Sequence, residues 1–180
     1  EPEIPEEFLA LPGPIIYFSL GALGSADVDL MRSVIAALAD RPYRVIVSKG
    51  PRHDEIELAA NMWGAEFLPQ TRILPMVDLV ITHGGNNTTT ESMHFGKPMV
   101  LLPLFWDQYD NAQRVHEKGY GRRLSTYGFT PEELRAAIDE QLGDAGHLAK
   151  LRAAGESIRA RSGLQQAADR LEALGRERAR

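Results

Sequence analysis

The chain has 180 residues, of which 43% are hydrophobic and 25% charged, and it contains no cysteine. This length and composition are typical of one globular domain with a sizeable core. The formal net charge of −5 argues against nucleic acid as the main partner, because such proteins usually carry a basic patch. No apolar run approaches about eighteen residues, so no membrane span is predicted. The lack of cysteine excludes disulfides and thiolate metal sites, and it is typical of a cytoplasmic protein.

The first residues are acidic and contain proline. The chain begins Glu-Pro-Glu-Ile-Pro, without an initiator methionine, and this composition is typical of a linker. We therefore expect a linker-like segment over residues 1–12 and a folded domain with a helical C-terminal tail over residues 13–180. We also expect the chain to be one part of a longer protein.

Short β-rich runs alternate with helical patterns along the domain. The sequence predicts strands at residues 15–20, 43–48, 64–68, 78–82, 99–102 and 121–124. It predicts helices up to residue 38, capped by Ser25 or Asp27, then at 87–95 and 108–118, with two or three more from a capping box at Thr130 to the C-terminus. This alternation predicts an α/β fold: a Rossmann-like, three-layer domain whose parallel sheet of about six strands has helices on both faces.

Several candidate residues follow directly after predicted strands. Gly21, Leu68, His83 and Pro103 each lie just beyond a strand end. Ligands of parallel sheets bind beyond the carboxyl ends of the strands. We therefore expect the residues around these four positions to meet at one edge of the sheet.

The nine residues from His83 to Glu91, HGGNNTTTE, join a predicted strand to a predicted helix. A small-polar turn that opens a helix is a common phosphate-binding arrangement. No Lys or Arg lies between Ile73 and Gly96, so a bound diphosphate would depend on backbone N–H groups, the helix dipole and polar side chains. The alternative is that Asn87 or Thr88 only caps the helix, with His83 packed at a strand end.

Two further positions suit sugar hydroxyl groups. Glu91 can accept hydrogen bonds from two vicinal ribose hydroxyls, or it can be an ordinary solvated helix residue. Asp107 and Gln108 together offer acceptors and a donor to a sugar, although Asp107 can equally be a helix cap.

An aromatic residue suits a nucleobase. Phe67 can stack on a base whose edge pairs with the backbone of Leu68, or it can belong to the core. Ser19 has two interpretations, a phosphate contact or simply the last residue of a strand. Other sites are excluded, because the sequence has no G-x-S-x-G, no Walker lysine motif, no G-x-G-x-x-G after the first strand and no metal-ligand spacing of histidines.

Three runs, at residues 67–70, 83–91 and 103–112, resemble the donor-binding block of the UDP-glycosyltransferases. These inverting enzymes have the GT-B fold and include plant secondary-product, animal glucuronosyl and bacterial macrolide transferases. The resemblance extends over residues 15–124. It implies that this chain is the C-terminal one of two Rossmann-like domains, that it binds a UDP-sugar without metal or other cofactor, and that an N-terminal acceptor domain is missing.

The resemblance also implies roles for individual residues. It implies that the diphosphate is held by Ser19, Gly21, His83, Gly85, Asn87 and Thr88. It implies that the base and ribose are contacted by Phe67, Leu68, Gln70 and Glu91. It implies that the sugar is contacted by Asn86, Asp107 and Gln108. Phe67 departs from the tryptophan that is frequent in the family, and Glu91 favours UDP over dTDP.

The function expected from the resemblance is transfer of a hexosyl group, with inversion, to a small hydrophobic acceptor. The general base of the family is a histidine of the N-terminal domain, so no catalytic residue is expected here and the chain alone should bind donor without transferring it. Two alternatives are a non-catalytic donor-binding subunit that works with a separate partner protein, and a nucleotide-sugar epimerase of related fold.

Overall fold

The structure, a computed structural model, describes residues 2–178. The strands among these residues are β1 Ile15–Ser19, β2 Arg44–Ser48, β3 Met62–Ala65, β4 Leu79–Thr82, β5 Met99–Leu101 and β6 Gly121–Arg123. They form one six-stranded sheet in the order β3-β2-β1-β4-β5-β6, and every pairing is parallel. The predicted α/β fold with a parallel sheet is confirmed. Strands β2 and β3 lie on one side of β1, whereas β4, β5 and β6 lie on the other. The strand order therefore changes direction between β1 and β4, and ligands of such sheets bind at this switch point.

The helices cover the sheet and form its connections. They are α1 Glu6–Leu9, α2 Gly21–Gly24, α3 Val28–Leu38, α4 Gln70–Ile73, α5 Asn86–His94, α6 Gln108–Glu117, α7 Pro131–Gly143, α8 Ala145–Arg159 and α9 Gly163–Arg178. Short 3₁₀ helices lie at His53–Glu55 and Leu74–Met76. None of the helices among the described residues is both long and apolar enough to cross a membrane.

The side chains of each central strand alternate between two hydrophobic clusters. In β1, Ile16 and Phe18 belong to one cluster, which also contains the apolar faces of α3 and α7. Ile15 and Tyr17 belong to the other, on the opposite face of the sheet. A strand that is covered on both faces has a continuous run of apolar residues in the sequence. For this reason the sequence predicted β1 at residues 15–20, close to its observed bounds Ile15–Ser19.

Two helix starts have the predicted caps. The carboxylate of Asp27 accepts a hydrogen bond from the backbone N–H of Leu30 at 3.0 Å, so Asp27 caps α3. Thr130 and Glu133 form the predicted capping box at α7, with distances of 3.2 Å to Thr130 Oγ1 and 2.7 Å to Glu133 Oε2. Both helices thereby satisfy backbone donors that have no partner within the helix.

The N-terminal segment differs from the linker-like prediction. Within residues 2–12 the structure has the short helix α1, whose Phe8 is buried in the second cluster. Arg44 of β2 donates a hydrogen bond from Nη1 to the carbonyl oxygen of Leu9 at 2.6 Å. The prediction rested on the acidic and proline content of the segment, whereas the buried Phe8 and the partly buried Ile4 pack in the second cluster.

We predict that Phe8→Ala lowers the free energy of unfolding by about 3 kcal/mol, because it leaves a cavity in the second cluster. Leu9→Ala is the matched control: Leu9 is next in sequence but exposed, and its replacement should cost no more than about 0.5 kcal/mol. Chemical denaturation of both variants measures the difference. Equal effects would contradict the packed arrangement of this segment.

Candidate functional site

Two adjoining cavities form a cleft at the carboxyl edge of the sheet. The first, about 350 Å³, is lined by Tyr17, Ser19, Gly21, Ala22, Ser48, Gly50, Phe67, Leu68, Gln70, Thr71, Asn87 and Glu91. The second, about 370 Å³, is lined by Gly21, His83, Gly85, Asn86, Asn87, Thr88 and Asp107. Gly21 and Asn87 line both, so the two cavities share a wall. Every predicted site residue except Gln108 lines this cleft.

His83 lines the second cavity and lies between two glycines. A Cβ atom on Gly85 would lie 2.4 Å from His83 Nε2, and one on Gly21 would lie 2.9 Å from His83 Cε1. Gly21 also has a left-handed backbone, with φ of +71°. Any side chain at either position would push the imidazole away, so the two glycines are required by the place of the ring.

The charge state of His83 follows from its burial. Burial lowers the pKa of His83 below its ordinary value of 6.5, and the carboxylate of Asp107 opposes this by raising it. The ring is therefore neutral at pH 7 and can donate one N–H hydrogen bond. The Nδ1 atom of His83 lies 3.3 Å from the Oγ1 atom of Thr82, which is the last residue of β4.

The first turn of α5 faces the second cavity without a side-chain cap. The N-cap residue is Gly85, and no side chain accepts a hydrogen bond from the start of this helix. The alternative in which Asn87 or Thr88 caps α5 is therefore wrong. Free backbone N–H groups and the positive end of the helix dipole make such a start suited to an anion.

A hydrogen-bonded network joins α4 to α5 beside the first cavity. Gln70 donates from Nε2 to Glu91 Oε2 at 2.5 Å, and Thr88 Oγ1 donates to Gln70 Oε1 at 3.3 Å. This network holds the Glu91 carboxylate at the cavity wall, and Glu91 is partly buried rather than a fully solvated helix residue.

The base end of the cleft is aromatic. Phe67 follows β3 and is 52% exposed, so the alternative that places it in the core is wrong. Leu68 packs against the second hydrophobic cluster while also lining the cavity. An exposed ring beside polar backbone offers a stacking surface to a planar ligand.

Sequence reasoning missed Tyr17 and Ser48 in the floor of the first cavity. Burial raises the pKa of Tyr17, hydrogen bonds to Ser19 and Ser48 oppose this shift, and the charge of Glu91 adds to it. The Tyr17 hydroxyl is thus surrounded by polar groups of the cleft. The period-two pattern of a strand places Tyr17 and Ser19 on one face, and this signal could have found it.

Asp107 and Gln108 have different environments. Asp107 lines the second cavity, and its Oδ2 accepts a hydrogen bond from Asn111 Nδ2 at 3.0 Å. Asp107 is the N-cap residue of α6, as predicted, but its side chain makes no capping hydrogen bond. Gln108 is buried, and its Oε1 accepts hydrogen bonds from the backbone N–H groups of Leu104 and Phe105 at 2.9 and 3.1 Å.

The side-chain oxygen of Gln108 holds the loop that precedes α6, and the contact of Gln108 with a sugar stays a prediction. Among the residues that the structure describes, no Lys or Arg lines either cavity. Within residues 2–178, no group of three or more His, Asp or Glu side chains is arranged to hold a metal ion.

A cleft at the switch point of a parallel sheet, with an uncapped helix start, defines a Rossmann-like domain of the type found in GT-B glycosyltransferases. Residues 6–149 match the family model described as UDP-glucoronosyl and UDP-glucosyl transferase. The chain belongs to this family.

Individual relatives agree with that assignment. The NDP-glycosyltransferase YjiC of Bacillus licheniformis is 32% identical over 89% of this chain and 41% of its own length. Human UDP-glucuronosyltransferase 1A9 is 33% identical over 74% of this chain and 26% of its own length. The crystal structure of the glycotransferase of kitacinnamycin superposes with a TM-score of 0.82, at 29% identity, over 91% of this chain and 43% of that one. The chain therefore spans less than half the length of these relatives.

We predict that acidification destabilises the chain partly through His83. Since its pKa in the folded chain is below the unfolded value of 6.5, the folded state binds fewer protons, and stability present above pH 6.5 is lost as the pH falls through the folded pKa. Denaturation of the native chain and of His83→Gln between pH 7.5 and 5 measures this contribution. His83→Gln should lose less stability on acidification, and an identical pH dependence would contradict the assignment.

Proposed function

We propose that the chain binds a UDP-sugar as the donor domain of a glycosyltransferase that transfers a hexosyl group, with inversion, to a small-molecule acceptor. The observation that supports this most is the uncapped start of α5 beside the neutral His83, in a cleft that also contains the Gln70–Glu91 pair. These groups suit a diphosphate and a ribose, respectively.

The donor would lie along the sheet edge in strand order. Phe67 and Leu68, after β3, would contact the base, and Glu91 with Gln70 would hold the ribose hydroxyls. The diphosphate would lie across β1 and β4, at the backbone N–H groups of α5 and near Ser19 and Gly21. The sugar would lie at Asn86 and Asp107, after β4 and β5, with Gln108 positioning the loop.

The absence of basic side chains from the cleft supports a particular way of stabilising the leaving diphosphate. Negative charge that develops on the leaving group would be met by the positive end of the α5 dipole, by oriented backbone N–H groups and by the His83 N–H. These dipoles are fixed before the reaction, so they need no reorganisation when the charge forms. We accordingly propose donor binding without a metal ion.

Deprotonation of the acceptor would require a base from another part of the protein. In this cleft the Glu91 carboxylate is held by Gln70 at one oxygen, and Asp107 accepts from Asn111. In this proposal the His83 imidazole donates its N–H to the diphosphate, so it does not deprotonate the acceptor. The chain alone should therefore bind the donor without transferring its sugar. The base would come from a second domain, and the greater length of the relatives is sufficient for one.

Titration of the chain with UDP by calorimetry tests the site. We expect His83→Ala and Glu91→Ala each to weaken UDP binding about tenfold or more, which is typical of losing a hydrogen bond to a charged group. Matched controls are His116→Ala and Glu117→Ala, because both residues lie at the opposite end of α6 from the cleft. No binding at millimolar UDP, or equal effects of site and control variants, would refute the proposed function.

The Glu91–Gln70 pair should also discriminate between ribose and deoxyribose. We expect the chain to bind UDP about tenfold more tightly than 2′-deoxy-UDP, because the deoxy ligand leaves the oriented carboxylate without one donor. In Glu91→Ala the two affinities should become nearly equal. A preference that survives this substitution would assign ribose recognition to another group.

A further inference from the structure

Tyr17 is a buried phenol in the floor of the cleft that the proposed function does not use. The residue is only 1% exposed, yet it lines the first cavity together with Ser19 and Ser48. Its ring packs in the second hydrophobic cluster. A tyrosine that is buried in this way needs a hydrogen-bond partner for its hydroxyl group, and here the partners are residues of the cleft.

The sheet brings three hydroxyl groups together at this floor. Tyr17 and Ser19 are two residues apart in β1, so their side chains lie on the same face of the sheet. In the pairing of β1 with β2, Phe18 is opposite Val47, so Ser19 and Ser48, the next residues, end the two strands side by side. Both serines are buried, and both are hydrogen-bond partners of the Tyr17 hydroxyl. We call Tyr17, Ser19 and Ser48 the hydroxyl cluster.

The direction of the hydrogen bonds in the hydroxyl cluster follows from the chemistry of its members. Burial raises the pKa of Tyr17 and the charge of Glu91 adds to this, whereas the bonds to Ser19 and Ser48 oppose it. The phenol is therefore protonated at pH 7. A phenol is also a stronger donor than an alcohol, so the Tyr17 O–H donates to a serine oxygen. Ser19 is the stronger of the two partners.

The Ser19 hydroxyl has a second partner on the other side. The backbone N–H of Gly21 donates to Ser19 Oγ at 3.3 Å. A serine oxygen has two lone pairs and one proton. With its lone pairs filled by the Tyr17 O–H and the Gly21 N–H, Ser19 has its own proton left for an acceptor in the cavity.

The position of Ser19 in the cleft indicates which acceptor that is. Ser19 lines the first cavity, in which Glu91 would hold the ribose, and Gly21 lines both cavities. In the proposed donor arrangement, Ser19 is thus at the passage from the ribose to the diphosphate. The ligand atoms expected there are the oxygens of the α-phosphate.

We propose that Tyr17 is a positioning residue that acts through Ser19, directing the serine proton to the α-phosphate of the bound donor. A hydroxyl that donates to a phosphate oxygen forms one of the stronger hydrogen bonds. In a cleft that no described Lys or Arg lines, such donors matter more. This inference rests on the proposed donor-binding function and adds to it a residue that does not itself bind the phosphate.

A series of three ligands separates positioning from a structural role. Tyr17→Phe keeps the ring and removes the hydroxyl. We expect it to weaken binding of UMP and UDP about fivefold, and binding of uridine, which has no phosphate, less than about twofold. NMR titration measures all three affinities, including millimolar ones. Equal weakening of uridine, UMP and UDP would overturn the proposal, and so would unchanged binding of UMP.

A double-mutant cycle tests whether Tyr17 acts through Ser19. Ser19→Ala should weaken UMP binding about fivefold or more, because the donated proton is lost. In the Ser19→Ala chain, the additional change Tyr17→Phe should then alter the UMP affinity less than about twofold, since the group that Tyr17 orients is already absent. A further fivefold loss in the double variant would overturn the proposal.

Tyr43 provides the matched control. It is a second buried tyrosine, in the first hydrophobic cluster and on the opposite face of the sheet from Tyr17, and its hydroxyl donates to Asp139 Oδ1 at 2.6 Å. Tyr43→Phe should leave the affinities for uridine, UMP and UDP unchanged. A loss of UMP binding as large as in Tyr17→Phe would overturn the proposal. A native chain that binds none of the three ligands would instead refute the donor-binding function.

Discussion

The close approach of two connections at the centre of the sheet is the constraint on which the rest of the site depends. The turn after β1 and the turn after β4 meet around the His83 imidazole, and neither Gly21 nor Gly85 has room for a Cβ atom. This contact brings the start of α5 to the switch point of the sheet. It thereby places backbone donors, a neutral imidazole and the two halves of the cleft side by side.

The electrostatic character of the cleft follows from this geometry. No described lysine or arginine lines either cavity, and the pKa of His83 is lowered by burial. In the proposed function, attraction for an anion would therefore come from oriented dipoles rather than from charged side chains. Fixed dipoles would also orient the anion, which suits a diphosphate that must be aligned for an in-line reaction.

Much of the fold could be predicted from the sequence because it depends on local and periodic properties. Buried parallel strands appear as apolar runs, and β1 was located to within one residue at its end. The caps at Asp27 and Thr130 follow from side-chain chemistry within three residues of a helix start. The motif from His83 to Glu91 was recognisable because a strand, a glycine turn and a helix follow each other directly in the chain.

Contacts between distant segments could not be predicted in this way. Phe8 joins the second core cluster, although the residues around it have the composition of a linker. The sequence did not indicate that the side-chain oxygen of Gln108 holds the loop backbone, because the path of that loop depends on the end of β5. The polar surroundings of the Tyr17 hydroxyl depend on β2 and α5, which bring Ser48 and Glu91 near it.

The sequence by itself determined the α/β fold class, the family resemblance and the residue types available for a donor. The tertiary structure decided which of those residues share a cleft and which ones hydrogen-bond to the residues that line it. The physical reason is that strand and helix formation depend on neighbours along the chain. Cavities, buried ionisable groups and backbone strain depend on segments that meet only after the sheet has assembled.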